Sequence, residues 1–169
     1  MTRLLGIDLG ERRIGLAVAE IDREPARPLV TVRRQRTPAS DAERLATVIR
    51  EQRIDELVVG LPLEAGGAEG TMAAAARRWA AALETTLGLP VTLRDERLSS
   101  HRAEERLGPM PRGRSGGPPT ASQREAYRGR VDREAAAIIL ADELAARATT
   151  VPHPAAAATS VGAGEGRPE

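Results

Sequence analysis

Asp8, Glu96 and Asp132 are the residues of this 169-residue chain whose type and setting could do chemistry. Each carboxylate is attached to an apolar element, where a negative charge is costly unless it is neutralised or used. Asp8 lies between Ile7 and Leu9, just ahead of Gly10, and Glu96 follows the apolar run Val91-Thr92-Leu93. Asp132 heads the row Asp132-Ala136-Leu140-Leu144, whose other members are apolar. Residues four apart share a helical face, so Asp132 points along the face that the rest of the row buries. If the three segments meet, three carboxylates converge, and like charges at close range require protons or cations between them. Oxygen ligands without nitrogen or sulfur select magnesium or manganese, and such ions suit phosphodiester hydrolysis. Each acid also has an ordinary explanation. Asp8 fits a turn, Asp132 fits the N-terminal end of a helix, and Glu96 adjoins Arg94 and Arg97, either of which could pair with it.

Composition narrows the alternatives. There is no cysteine and only two histidines, His101 and His153, so a disulfide framework, a thiolate zinc site and a histidine cage are excluded. No apolar run approaches the ~20 residues of a membrane span and no signal-peptide layout opens the chain, so a cytoplasmic protein without a membrane partner is expected. Net charge is only +1, but all 25 basic residues are arginine, the side chain that grips phosphate bidentately. With no phenylalanine, one Trp and one Tyr, an aromatic platform for bases is not expected, and nucleic acid would be held mainly by its phosphates.

The elements that must position the acids follow from the periodicity. Arg3–Leu9 reads as a buried strand, Gly10–Arg13 as a turn, and Ile14–Ala19 as the second arm of a hairpin. After a loop containing Pro25 and Pro28, Leu29–Arg33 supplies a third antiparallel strand. A helix is expected from Ser40, with Ser40 and Glu43 as a capping box and Leu45, Val48 and Ile49 on its buried face. A strand at Leu57–Gly60 runs into a Gly/Pro-rich loop, Leu61–Gly70. A helix over Thr71–Leu87 presents Met72, Ala76, Trp79, Leu83 and Leu87 as its buried stripe, with Gly88 as its cap. Val91–Leu93 is the fifth strand, a short helix ends near Leu107, and Gly108–Gln123, with four prolines and four glycines, is expected to be a loop. A buried helix spans Arg130–Arg147, and the Ala/Pro/Gly-rich segment from 149 to 169 is expected to be a disordered tail to a domain of residues 1–148. Three antiparallel strands followed by parallel strands alternating with helices make an α/β mixed sheet.

The order of these motifs resembles a family, the small bacterial pre-16S rRNA nucleases, also called Holliday junction resolvase-like proteins. The resemblance rests on Gly6-Ile7-Asp8-Leu9-Gly10 with Arg13-Ile14-Gly15-Leu16-Ala17, on Val58-Val59-Gly60-Leu61-Pro62-Leu63 with Gly67 and Glu69-Gly70, on Asp95-Glu96-Arg97-Leu98-Ser99-Ser100, and on Val131-Asp132 with Ala135-Ala136 and Ile139-Leu140. It implies a ribonuclease-H-like fold with a mixed five-stranded sheet flanked by helices. It also implies a nuclease dependent on Mg2+ or Mn2+ that trims the 5′ end of precursor 16S rRNA, with a ribosomal precursor particle as partner. Asp8, Glu96 and Asp132 are then catalytic residues and metal ligands, while Arg13, Arg97 and Ser99 bind substrate. Two departures stand out: Gly66 occupies a position that is usually aspartate, and Ser99-Ser100 replaces the usual threonine pair. A four-way-junction resolvase and a non-catalytic RNA-binding assembly factor are the alternative functions.

Overall fold

The computed structural model describes residues 1–150, and the part of the expected tail at 151–169 lies outside the described residues. The strands are β1 (Arg3–Leu9), β2 (Arg13–Glu20), β3 (Glu24–Arg33), β4 (Glu56–Leu61) and β5 (Val91–Asp95). The helices are α1 (Pro38–Gln52), α2 (Thr71–Leu87), α3 (Ser99–Leu107) and α4 (Ala121–Thr150). One sheet has the order β3-β2-β1-β4-β5, antiparallel across β3, β2 and β1 and parallel across β1, β4 and β5. This is the ribonuclease-H-like mixed sheet that the motif order implies. The parallel strands all end at one edge, which brings Asp8, Gly60 and the segment after Asp95 together.

Alternation in the strands divides the core. Leu5 and Ile7 of β1, Leu16 of β2 and Val59 of β4 face α1 and α2, where they meet Leu45, Trp79 and Leu83. Leu4, Ala17 and Val58 face α4, where they meet Ala136, Ile139 and Leu140. Fully burying one such leucine or isoleucine contributes about 1.5–3 kcal/mol. Trp79 is a core residue as expected, and its indole N–H donates to the fully buried Asp41 at 2.9 Å. Asp41 also accepts from Arg34 Nε and from the Gln35 N–H, so a buried carboxylate is fully occupied in joining both helices to the end of β3.

Five sequence expectations need correction. Helix α1 is capped by Thr37, whose hydroxyl accepts from the Ser40 N–H, and Pro38 opens the helix where its missing donor costs nothing. Pro25 and Pro28 lie within β3, the edge strand, where a residue without an N–H is tolerated. Met72 is 62% exposed, and Ala73 takes its place on the buried face of α2. Helix α4 starts at Ala121 because Thr120 and Gln123 form a capping box: Thr120 N–H donates to Gln123 Oε1 at 2.8 Å, and Gln123 N–H to Thr120 Oγ1 at 3.1 Å. The expected loop is thus shorter, and Asp132 sits inside a helix rather than at its N-terminus. The helix also continues through Thr150, past its expected end at Arg147.

Candidate active site

Glycines let α4 lie directly on the sheet beside Asp8. Gly15 faces Asp8 across the β1–β2 ladder, and Gly60 lies on its other side, one residue beyond the Ile7–Val59 pair. A Cβ on Gly6 would stand 2.7 Å from the Ala136 carbonyl oxygen, and one on Gly15 would overlap the Asp132 carbonyl. Both distances are shorter than a carbon atom tolerates. The helix backbone therefore occupies the space that side chains would fill, and this fixes Asp132 above the end of β1.

Glu96 enters from the far side of β4. Its N–H donates to the Leu61 carbonyl at 3.1 Å, which extends the β4–β5 pairing by one residue. Its carboxylate then lies over Gly60, where a Cβ would collide with Oε2. The space above Gly60 is how a residue after β5 meets a residue on β1, although β4 separates the two strands.

Burial pushes the Asp8 carboxyl up to about 6; a hydrogen bond with Glu96 lowers it and the charge of Asp132 raises it. Burial also pushes Glu96 up, to about 9, reinforced by the charge of Asp8, the hydrogen bond with Asp8 and the charge of Asp95. With both groups ionised, Glu96 Oε2 is buried without a donor. Two carboxyls in contact, one with an oxygen that no donor reaches, favour a shared proton or a cation between them. A carboxyl pair that takes up a proton for want of a cation is a pair of hard oxygen donors suited to one.

Asp132 is close enough to raise Asp8, but its side chain is engaged elsewhere. Arg13 Nε donates to Asp132 Oδ2 at 2.6 Å, and Arg13 Nη1 meets Glu125 Oε1 at 3.1 Å. Among the described residues, no three acidic, histidine or cysteine side chains stand together as a metal-binding group. The structure therefore joins Asp8 with Glu96 and sets Asp132 beside them in the grip of Arg13.

Neither arginine beside Glu96 neutralises it. Arg97 Nε and Nη2 each reach Asp95 Oδ2 at 2.8 Å, with Nη1 on the Ala65 carbonyl at 3.3 Å, and Arg94 faces Glu143 at 3.7 Å. Ser99, expected at the substrate, is 4% exposed, and its N–H donates to the Glu96 carbonyl at 2.9 Å. The start of α3 turns it inward, so it fixes the Glu96 turn rather than facing a substrate. Gly66 has open space around its backbone, so the missing aspartate leaves no gap in the carboxylate pair.

Sequence reasoning passed over several residues that build the site. Gly15 and Gly60 were legible as strand glycines, which mark close backbone approach. Glu125 had no local signal, since it lies between the expected loop, which ends at Gln123, and the expected helix, which begins at Arg130. Arg34 donates to the Gly10 carbonyl at 2.9 Å and to Asp41 at 3.0 Å, and so holds the turn that follows Asp8.

The family model described as "RuvX: Holliday junction resolvase" matches residues 2–146. A protein named "Putative pre-16S rRNA nuclease" from Anaeromyxobacter sp. (strain K) is 50% identical over 146 residues, spanning 86% of this chain and 98% of its own. One of the same name from Chloroflexus aggregans is 40% identical over 148 residues, spanning 85% and 94%. A solved structure of Thermus thermophilus RuvC in complex with a Holliday junction substrate is similar with a TM-score of 0.49 and 20% identity, over 89% of this chain and 98% of that one. The family match runs from the residue before β1 to near the end of α4 and takes in every residue of the site, so the chain belongs to the RuvX family.

Proposed function

We propose that this protein is a divalent-metal-dependent nuclease that hydrolyses phosphodiester bonds, with the 5′ end of precursor 16S rRNA in a cytoplasmic ribosomal precursor particle as its substrate. The observation that carries the hydrolytic reading is the Asp8–Glu96 pair, two carboxyls brought together over Gly60 with Glu96 Oε2 buried without a donor and with Arg94 and Arg97 engaged elsewhere. Such a pair is unfavourable for folding and is suited to a cation. Asp8, Glu96 and Asp132 would hold Mg2+ or Mn2+, which when bound supplies an activated water and charge stabilisation at the leaving oxygen.

The rest of the work falls to the chain itself. Gly60 leaves room for Glu96, and the buried Ser99 holds the turn that carries it. Arg97, fixed by Asp95 and Ala65, presents a guanidinium beside Glu96 to the phosphate backbone. Arg13 exchanges Asp132 and Glu125 for a substrate phosphate, which releases Asp132 as a ligand. Relatives named for pre-16S rRNA support RNA as the substrate, and the family description supports a four-way DNA junction as the second reading.

The test presents purified protein with naked precursor rRNA, with a ribosomal precursor particle and with a mobile four-way junction, at equal salt, with and without Mg2+. Metal-dependent cutting of the RNA, sharper in the particle, is expected. Symmetric junction cleavage far faster than RNA cleavage would establish the resolvase instead, and metal-independent binding without cleavage would establish an assembly factor.

A further inference from the structure

Leu98 departs from three local preferences at once. Its side chain is 72% exposed, its backbone is left-handed at φ 65°, and it occupies the N-cap of α3 without making a side-chain cap. Glycine or asparagine would suit all three circumstances, since both tolerate a positive φ, neither exposes a large apolar group, and asparagine caps helices well. Backbone strain of this kind persists where the surrounding structure requires it and gathers at functional sites. The fold itself draws nothing from an exposed leucine here.

Beside Leu98 lies a cleft of about 600 Å³ lined by Leu63 and Ala65 from the β4–α2 loop and by Asp95, Arg97 and Leu98 from the β5–α3 loop. Both residues flanking Glu96 in sequence are in its wall, so the cleft lies beside the turn that carries Glu96. Its chemistry is divided. Leu63 and Leu98 form an apolar side, while Arg97 is a cation already oriented by Asp95 at 2.8 Å and by the Ala65 carbonyl. A volume of this size accepts a nucleoside. An apolar wall beside a fixed guanidinium matches a base joined to a phosphate, and aliphatic wedges of Leu and Ile serve this purpose against bases elsewhere. Trp79 and Tyr127 are both buried, so neither aromatic side chain competes for the role.

We propose, resting on the nuclease reading, that this cleft takes the nucleobase of the nucleotide next to the scissile phosphate, with Leu63 and Leu98 against the base and Arg97 on its phosphate. Contact through the base faces reads no hydrogen-bond pattern, so it accepts any base and rejects an abasic position.

The test titrates the metal-free full chain, with labelled leucine methyls, with adenosine 5′-monophosphate and with ribose 5-phosphate, which carries the same phosphate but no base. The nucleotide is expected to shift the Leu63 and Leu98 methyls and to bind about fivefold more tightly than the sugar phosphate, an effect at the low end of stacking contributions. Leu98→Asn should raise the melting temperature by relieving the left-handed strain and bring the affinity ratio to about one, while Leu98→Met retains the ratio and Arg97→Ala weakens both ligands. A ratio unchanged in Leu98→Asn, or methyl shifts elsewhere in the protein, would overturn the proposal. Base-dependent binding in a protein that cuts neither RNA nor DNA would uphold the cleft and overturn the nuclease reading. Metal-dependent cleavage with a wild-type ratio of one would do the reverse.

Discussion

Glu96 meets Asp8 through the space above Gly60, where a side chain would stand in the way of the Glu96 carboxylate and 2.7 Å from Ile139 Cδ1. One missing methyl group thus connects an acid just beyond β5 with one on β1. Gly60→Ala should displace Glu96 while the sheet still forms, lowering stability by about 1–3 kcal/mol through overpacking. Cleavage should fall by about 10²-fold, the scale of a displacement near 1 Å at a reacting centre. A crystal structure of the variant together with its turnover checks both, and wild-type turnover would show that the contact with Asp8 is dispensable.

Removing charge at the pair should trade activity for stability. Asp8→Asn and Glu96→Gln each remove the burden of two buried carboxyls in contact, so the metal-free variants should melt higher than wild type at pH 8, by ~2–4 °C for each kcal/mol gained. Both should lose most cleavage. Calorimetry beside a cleavage assay checks the two effects, and a lower melting temperature for both would mean that the pair stabilises the fold.

The same pair sets a pH dependence. Asp8 is raised to about 6 and Glu96 to about 9, so between the usual carboxylate range and about pH 9 the folded protein binds more protons than the unfolded chain. Stability rises with pH only where the unfolded state binds more protons, so here it falls. The contribution is fully present below about pH 4 and is lost as pH rises through about 6 and then about 9. Metal-free protein should therefore lose stability across this window, and Mg2+ should flatten the slope by taking the place of the proton. Denaturant melts at several pH values, with and without Mg2+, measure it.

Much of this architecture was legible in the sequence because it rests on local patterns. The alternation in Arg3–Leu9 and Ile14–Ala19 yields the hairpin, and the row Asp132-Ala136-Leu140 identifies the face of α4 that meets the sheet. The start of α4 was hidden because prolines and glycines before Thr120 conceal a capping box of ordinary residues. The contact of Asp8 with Glu96 was not legible in detail, since it depends on strand order and on which face of β4 Gly60 occupies. The engagement of Asp132 by Arg13 spans 119 positions of sequence and leaves no periodic trace.

The capping box itself can be tested. Thr120→Ala removes the acceptor of the Gln123 N–H and should cost about 1 kcal/mol. The first turns of α4 should fray, and Glu125 with them, loosening Arg13. Amide hydrogen exchange over residues 121–129 should accelerate while the sheet stays protected. Unchanged exchange would mean that packing of Tyr127 alone holds the segment.

The most direct test of the metal-dependent nuclease reading is a Mg2+ titration of precursor 16S rRNA cleavage by wild-type protein and by Glu96→Gln. Cleavage that requires Mg2+ and saturates with it in the wild type, and falls at least about 10²-fold in the variant, is the predicted result. Equal cleavage by the two proteins, or wild-type cleavage undiminished by chelation of the metal, would contradict it.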